Sequence, residues 1–511
     1  MISRRSLVTI AVLSSAVMEV LDTSVVNVSL PHIAGSLSAT TDEATWVLTS
    51  YLVANAIILP MSGWLANYFG RKRLLLTVVT GFTASSLLCG LAPSLPMLIL
   101  FRVMQGVTGG GLQPLSQAVL LEEYPPQERG KAMAFFGLGI MTAPILGPTL
   151  GGWITDTYSW RWIFYINLPV GIVSLIMISL FVTDPPYMHR GSLRADFWGF
   201  GMLAVGMGAL QIMLDKGQED DWFGSNFIVI LAITAAVLLI GFVVRELLID
   251  QPIVHFELLK YRTFAAGIFF VTMLGFVLYG SLILLPLFMQ TLLGWTSATA
   301  GLWTSPRGIG TALCMPLVGY LLGKGWDGRW LLAFGFVVGG ISLLGFSGMN
   351  LQSGTWDILV WQISQGLGMS FIFVPLTTLT MDPIPKRETG YATALYSVMR
   401  NIGSSFGVSF VTTWLARRAQ FNQTVLAAHV TPYDPAAQRM LAQAQAVLMR
   451  NGADPVTADR QAMAMLYGVV RQQAAVLSFL SVFRMMGIVF LAIIPLVLLL
   501  RKPKHLRERR S

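Results

Sequence analysis

Along most of this chain, apolar runs of a length that suits a bilayer-crossing helix alternate with short polar turns. The hydrocarbon core of a membrane needs about 20 consecutive apolar residues in helical form. Read by that rule, the pattern predicts about 14 spans, near 8–32, 44–66, 74–94, 97–121, 132–154, 163–183, 197–215, 226–248, 264–290, 297–323, 331–349, 356–380, 391–416 and 474–500. The expected class is an all-α polytopic membrane protein. Composition agrees: 54% of the residues are hydrophobic and only 12% charged, with a mean hydropathy of +0.66. A soluble chain of 511 residues would need far more charged surface. The 49 glycines also fit, because small residues let membrane helices approach closely.

The charges between the runs give an orientation. With the N-terminus inside, the inner turns hold Arg4, Arg5, Arg71, Lys72, Arg73, Arg129, Lys131, Arg190, Arg194, Lys260, Arg262, Lys324, Arg329, Lys386 and Arg387, followed by the basic tail 501–511. The short outer turns hold only Arg161 and Lys216. Cationic loops stay in the cytoplasm, so both termini are expected there. The net charge of +9 is thus an orientation signal and not a sign of nucleic-acid binding. The long loop 417–473 falls outside; its stretches QAQAVLMRNGA and ADRQAMAMLYGVV read as amphipathic helices on the outer surface, or else as an extended arm. The N-terminal run has no small-residue cleavage site and is read as an uncleaved first span. Cys89 and Cys314 both sit in apolar runs and are read as packing residues, not a disulfide.

An internal repeat appears at an offset of roughly 255–260 residues. GWLANYFGRKRLL resembles GYLLGKGWDGRWLL, Gln105-Gly106 matches Gln365-Gly366, Gly130 matches Gly390, and Pro31 matches Pro286. Spans 1–6 therefore resemble spans 9–14. The predicted domains are a six-helix bundle over 1–190, an inserted helical hairpin over 191–260 (spans 7 and 8), and a second six-helix bundle over 261–500 that carries the outer loop. Parallel repeats of this kind are a transporter design, with the substrate site between the halves.

Four motifs in order make the pattern specific: LDTSVVNVSLP, GWLANYFGRKR after span 2, FRVMQGVTGGG in span 4 and APILGPTLGG in span 5. Together they resemble the major facilitator superfamily, and the span-5 Gly-Pro pattern resembles the antiporter signature of its drug exporters. LQIMLDKGQEDDWF at the outer end of span 7 is similar to the 14-span branch, the EmrB/QacA-type drug:proton antiporters, nearer its EmrB side. The resemblance implies a major facilitator fold in the bacterial inner membrane. It implies export of lipophilic or amphipathic toxic compounds against protons, with protons as the coupling ion and no other cofactor. A periplasmic adaptor and an outer-membrane channel are implied as partners. A specific metabolite or siderophore transporter of the same fold is the alternative. One position departs from the family pattern: Asn67 stands where many members have Asp, so a charge relay there is doubtful. Gly63 and Gly70 still permit the tight turn that turns Arg71 and Arg73 to the inner surface.

Candidate chemistry concentrates in span 1. Glu19, Asp22, Thr23 and Asn27 share one helix face. An ionised acid facing lipid costs at least a few kcal/mol, so this face must look into the bundle or a wet cavity. A carboxylate withdrawn from water can bind and release a proton near neutrality. Asp22 is read as a proton carrier and Glu19 as a second coupling acid or an attractor of cations; the plainer reading is a permanently paired structural acid. Arg102 in span 4 stays charged and needs a partner, for which the span-1 carboxylate is the natural candidate. An Arg beside Asp22 in one conformation and away from it in another would change the acid's proton affinity. The energy scale suffices, at about 2.3 kcal/mol per charge per 100 mV and about 1.4 kcal/mol per pH unit.

Gly106, Gly147, Pro148, Gly151 and Gly152 are read as hinge or tight-interface positions. Pro148 removes a backbone donor and kinks the helix. Arg307, Arg400 and Arg484 in later spans are read as more structural than substrate-binding, with Arg400 facing a cavity or an interface. Cavity-lining candidates are Trp46, Asn55, Gln113, Gln117, Met141, Gln290, Trp303 and Gln365. Asp215 and the acids after it read as a solvated outer face. The chain contains no phosphate-binding glycine loop, no clustered histidines and no nucleophile elbow, so an enzyme is not expected.

Overall fold

The computed structural model describes residues 4–185, 196–431 and 433–501. Arg190, Arg194, the first predicted domain boundary and the tail beyond Arg501 lie outside these. Helices dominate, and no strand occurs among the described residues. The first half runs α1 Arg4–Ser36, α2 Asp42–Phe69, α3 Arg71–Leu91, α4 Leu95–Glu123, α5 Arg129–Thr157 and α6 Trp162–Phe181. The hairpin follows as α7 Phe197–Lys216 and α8 Asn226–Leu248. The second half runs α9 Arg262–Thr291, α10 Pro306–Gly323 with a leading turn Ser297–Thr304, α11 Gly328–Phe346, α12 Thr355–Met381, α13 Thr389–His429, α14 Pro435–Arg450 and α15 Pro455–Leu499.

Twelve of these helices are long and apolar enough to cross a membrane. Pro306 and Arg307 open α10, and Arg400, Asn401 and several Ser and Thr dilute α13, so both fall short on apolar length. Both nonetheless pack inside the bundle, α10 against α12 and α5, α13 along α9. With these two the bundle reaches the fourteen helices that the hydropathy pattern predicts, α14 lying outside that set.

The two halves pair their helices alike. In the first, α1 lies on α5, α2 on α4 and α3 on α6; in the second, α9 lies on α13, α10 on α12 and α11 on α15. Glycine makes the α2–α4 and α10–α12 approaches possible. A Cβ on Gly106 would stand 2.5 Å from the Tyr51 carbonyl oxygen, and one on Gly366 would collide with the carbonyl of Arg307. The α7–α8 hairpin bridges the halves. Lys216 donates to Thr45 on α2, while Trp222 and Gln211 reach Thr413 and Ser405 on α13.

At the end that carries the basic turns, the halves meet. A Cβ on Gly63 would lie 2.8 Å from the Gly390 carbonyl oxygen, and Gly130 packs on Leu322 of α10. Gly70 takes a φ of 86°, which allows the sharp α2–α3 turn. At the opposite end α13 and α15 project as long helices. The segment 458–470, expected as an amphipathic surface helix, is helical and forms the first turns of α15, so the alternative of an extended arm does not occur among the described residues. The amphipathic reading of the preceding stretch corresponds to α14, which packs along α15. Asp454 caps α15; hydrogen bonds from Thr457 hold its carboxyl below the usual range.

Candidate functional site

The two acids of α1 are both buried, Asp22 1% and Glu19 6% exposed. Their surroundings differ. Asp22 Oδ2 accepts from Arg102 Nη1 at 2.6 Å, and Oδ1 accepts from the amides of Gln105 (3.0 Å) and Asn167 (2.7 Å). Arg102 in turn donates Nε to the Val47 carbonyl and Nη1 to Gln105 Oε1, and its guanidinium lies over the Tyr51 ring at 4.2 Å. Ser86 closes the network by accepting from Gln105 and Asn167. Five helices, α1, α2, α3, α4 and α6, therefore meet on one ion pair.

Glu19 lies one turn earlier and faces neutral donors. Its Oε1 accepts from Tyr51 at 3.2 Å and Asn55 at 3.1 Å, and its Oε2 accepts from Gln113. The nearest cation stands behind that amide: Arg400 of the second half donates to Gln113 Oε1. A side-chain chain Glu19–Gln113–Arg400 thus crosses from one half to the other.

The second half contains a counterpart of the Asp22 network with one change. Arg307 Nη2 donates to Gln365 Oε1 at 2.6 Å, and Gln365 Nε2 donates to Ser281 Oγ at 3.1 Å. Gln105 makes the same two-sided arrangement with Arg102 and Asp22. A hydroxyl therefore occupies the place of the acid, and the guanidinium comes from α10 in place of α12. Arg307 is 3% exposed and bonds further to Gln362; among the described residues neither its Nη1 nor that of Arg400 has an acceptor. Both arginines line a cavity between the halves whose walls are otherwise mainly apolar, formed by Met141 and Ile145 of α5 and Leu278, Tyr279 and Leu282 of α9.

The α5 motif shows how a proline is accommodated in a membrane helix. α5 continues through Pro144 and Pro148. Pro148 cannot donate to the carbonyl of residue 144, and Ser24 of α1 donates to that carbonyl at 3.0 Å. A Cβ on Gly147 would collide with Ser24, and one on Gly151 would lie 2.9 Å from Val25 of α1; Gly152 has open space, its nearest neighbour Val28 at 4.0 Å. At the basic end Arg71 pairs with Glu122 in the interior, Asn67 hydrogen-bonds Tyr391, and Arg73 is exposed.

Of the other predicted cavity residues, Gln117 is buried, and its amide nitrogen has no protein acceptor. Trp46 and Trp303 are half-buried, the latter against Trp295. Asn27 and Gln290 are exposed. Asp215, read as solvated, accepts from Thr49. The sequence reading passed over Tyr51, Ser86, Asn167 and Tyr279, none of which has a sequence signal of its own. Arg307, read as more structural than substrate-binding, is held in the interior by Gln362 and Gln365.

Comparison with known proteins places these observations. The profile of the Major Facilitator Superfamily matches residues 12–416. The chain is 42% identical over 434 residues, 84% of each chain, to the Multidrug export protein EmrB of Haemophilus influenzae. It is 39% identical over 503 residues, 98% of this chain and 96% of the other, to the Fatty acid resistance protein FarB of Neisseria gonorrhoeae. Among solved structures it resembles the human organic anion transporter MFSD10 (TETRAN), with a TM-score of 0.58 and 12% identity, over 95% of this chain and 99% of that one, which supports the fold alone.

Proposed function

This chain belongs to the Major Facilitator Superfamily, and from that membership we propose that it exports varied lipophilic or amphipathic toxic compounds out of a bacterial cytoplasm in exchange for protons. It is a multi-pass membrane protein of a transporter family, and its substrates are small molecules. Relatives named for multidrug export cover most of its length, which supports the efflux reading. The observation that carries the coupling is the placement of two buried carboxylates, Glu19 and Asp22, beside the junction of the halves.

In this reading the basic end lies in the cytoplasm, and the molecule is closed there by the Gly63–Gly390 contact. The two acids have separate tasks. Protonation of Glu19 requires only that the Asn55 or Gln113 amide turn its carbonyl to the acid, since those side chains both donate and accept. Protonation of Asp22 requires separation from Arg102, which only donates. Glu19 exchanges the proton, and the Asp22–Arg102 pair reports the conformation. The link through Gln113 to Arg400 then ties the charge on Glu19 to the fit of the two halves. A periplasmic adaptor and an outer-membrane channel complete the export path, with the projecting α14 and adjoining α15 as the contact surface. The resemblance to EmrB supports those partners.

Proton release tests the reading. Purified protein in weakly buffered solution receives a lipophilic cation or an uncoupler-type compound, with wild type, Glu19→Gln and Asp22→Asn compared. Release from wild type and its loss in Glu19→Gln is the expected result. Equal release from Glu19→Gln moves the exchange site elsewhere, and no release from wild type with either probe removes proton-coupled drug export.

A further inference from the structure

Where the α7–α8 hairpin meets the first half, the basic end of the molecule holds a second cavity, away from the junction of the halves. Met61 and Trp64 of α2, Phe197 and Phe200 of α7, Asp196 and the linker residue Ile253 form its walls around about 230 Å³ of free space. That equals roughly eight water molecules of liquid volume, room for a stretch of apolar chain. The hairpin is the periphery of the bundle: Phe197, Trp198 and Leu248 at its base are largely exposed, so the cavity lies at the lipid surface. Its rim carries polar groups without partners. Trp64 is 8% exposed, and its indole N–H has no acceptor among the described residues. Asp196 is held by Nε and Nη2 of Arg245. Behind it stands Glu246, 4% exposed, which accepts from the Val254 amide with Oε2 while its Oε1 has no donor. The two acids are neighbours, since a Cβ on Gly199 would lie 2.5 Å from Asp196 Oδ2 and 3.2 Å from Glu246 Oε1. Asp250 follows in the linker, exposed and without an ion pair, whereas Lys260 is taken by Glu257. At an end of the protein that is otherwise basic, two carboxylates of this rim, Glu246 and Asp250, thus lack a cation.

We propose that this cavity holds a phospholipid of the inner leaflet with an ammonium head group, its acyl chain among Met61, Phe197, Phe200 and Ile253 and its head at the acidic rim. The inference goes beyond the export reading and takes from it only the orientation that puts the basic end in the cytoplasm. An ammonium has three donors and no acceptor, and a carboxylate only accepts. Asp250 is free to accept from it, while Glu246 adds its charge from behind Asp196. The Trp64 N–H is suited to a phosphate or ester oxygen of the same lipid, as indole rings are at the membrane–water boundary. An anionic head group would meet like charges instead. The position also bears on the inner closure. Met61 and Trp64 flank Gly63, which packs on Gly390, and Ile253 lies two residues before His255, which stacks on Tyr391. A lipid in the cavity therefore braces both sides of that closure.

The test is native mass spectrometry of the delipidated full-length protein, titrated with dioleoyl phosphatidylethanolamine or dioleoyl phosphatidylglycerol. Wild type is compared with Asp250→Lys and Ile253→Trp after each is shown to melt as a folded protein. Wild type should retain one phosphatidylethanolamine at least about fivefold more tightly than phosphatidylglycerol, the scale of one close charge contact near a surface. Asp250→Lys should erase that preference, and Ile253→Trp, which fills the cavity, should lose the bound lipid. Equal or tighter binding of phosphatidylglycerol to wild type, an unchanged preference in Asp250→Lys, or an unchanged bound lipid in a folded Ile253→Trp overturns the proposal. If Ile253→Trp does not fold, the two lipids on wild type and Asp250→Lys decide. The bracing is read from spin labels at Lys131→Cys and Lys324→Cys, on α5 and at the end of α10 where the halves pack at the basic end, with Cys89→Ala and Cys314→Ala removing the native thiols. Their short separation should be more populated in phosphatidylethanolamine nanodiscs than in phosphatidylglycerol ones, and equal populations overturn the bracing. No transport is measured, so loss of lipid selectivity leaves the export reading standing, and absent proton release leaves the lipid site standing.

Discussion

Asp22 and Glu19 lie one helical turn apart on α1, yet Asp22 is ion-paired to Arg102 while the direct partners of Glu19 are a phenol and two amides. The consequences of removing each charge differ. Asp22→Asn leaves Arg102 buried without its anion, and breaking a buried pair costs about 3–5 kcal/mol. Glu19→Gln keeps hydrogen-bonding capacity toward neutral partners and should cost about 1 kcal/mol or less. Thermal melts in detergent should show a large loss for Asp22→Asn, a small one for Glu19→Gln, and partial recovery in the double variant Asp22→Asn, Arg102→Gln. Equal losses for the two single variants would mean that the ion pair contributes nothing particular to this fold.

The glycines of α5 separate into two kinds. Gly147 and Gly151 face α1 at distances that leave no room for a methyl group, whereas Gly152 has open space. Forced overpacking typically costs about 1–3 kcal/mol. Gly147→Ala and Gly151→Ala should lower the melting temperature and impair drug export, while Gly152→Ala should be neutral or slightly stabilising through its helix propensity. A Gly152→Ala variant as damaged as the other two would show that the motif acts through flexibility and not through the α1–α5 fit.

His255, in the turn before α9, stacks on Tyr391 of α13 at 3.7 Å between ring centroids, at the closed basic end. Burial holds its imidazole below the ordinary value, with Glu257 acting in the opposite sense. The folded state thus disfavours the charged ring, and the unfolded chain binds the proton first. Stability from this contact is fully present above the unfolded value of about 6.5 and is lost as pH falls through it toward the folded value. The melting temperature of wild type, relative to His255→Phe, should therefore drop between about pH 7.5 and about pH 5.5. Parallel curves would place the pH response of this end on other groups.

Much of the architecture was legible because lipid imposes a simple rule. Backbone groups must be satisfied within each segment, so span length and count follow from hydropathy. The Asp22–Arg102 pairing was legible for a similar reason, since a charge in a membrane interior needs a partner. Asn67 and Asn167 illustrate the rest. Asn167 completes the Asp22 network from α6, and nothing near it in sequence points there. Asn67 contacts Tyr391, more than 300 residues away in the chain. Contacts between halves depend on how whole bundles dock, which local pattern does not encode. The long outer segment was legible as helix, but not the continuity of its second helix with the last span. Its polar faces suggest surface helices, but α13 and α15 continue past the apolar stretch on helix propensity and on packing with each other.

Ser281 offers a direct way to change the balance of charge in the second half. It accepts from the same glutamine that receives Arg307, in the place where Asp22 accepts from Gln105. Ser281→Asp would put a carboxylate within reach of that network and give Arg307 an internal anion. The variant should fold and melt no lower than wild type, because a buried acid is tolerated where a hydrogen-bonded cation faces it. A strongly destabilised one would show that α10 delivers its arginine too far from α9 for the two networks to be equivalent.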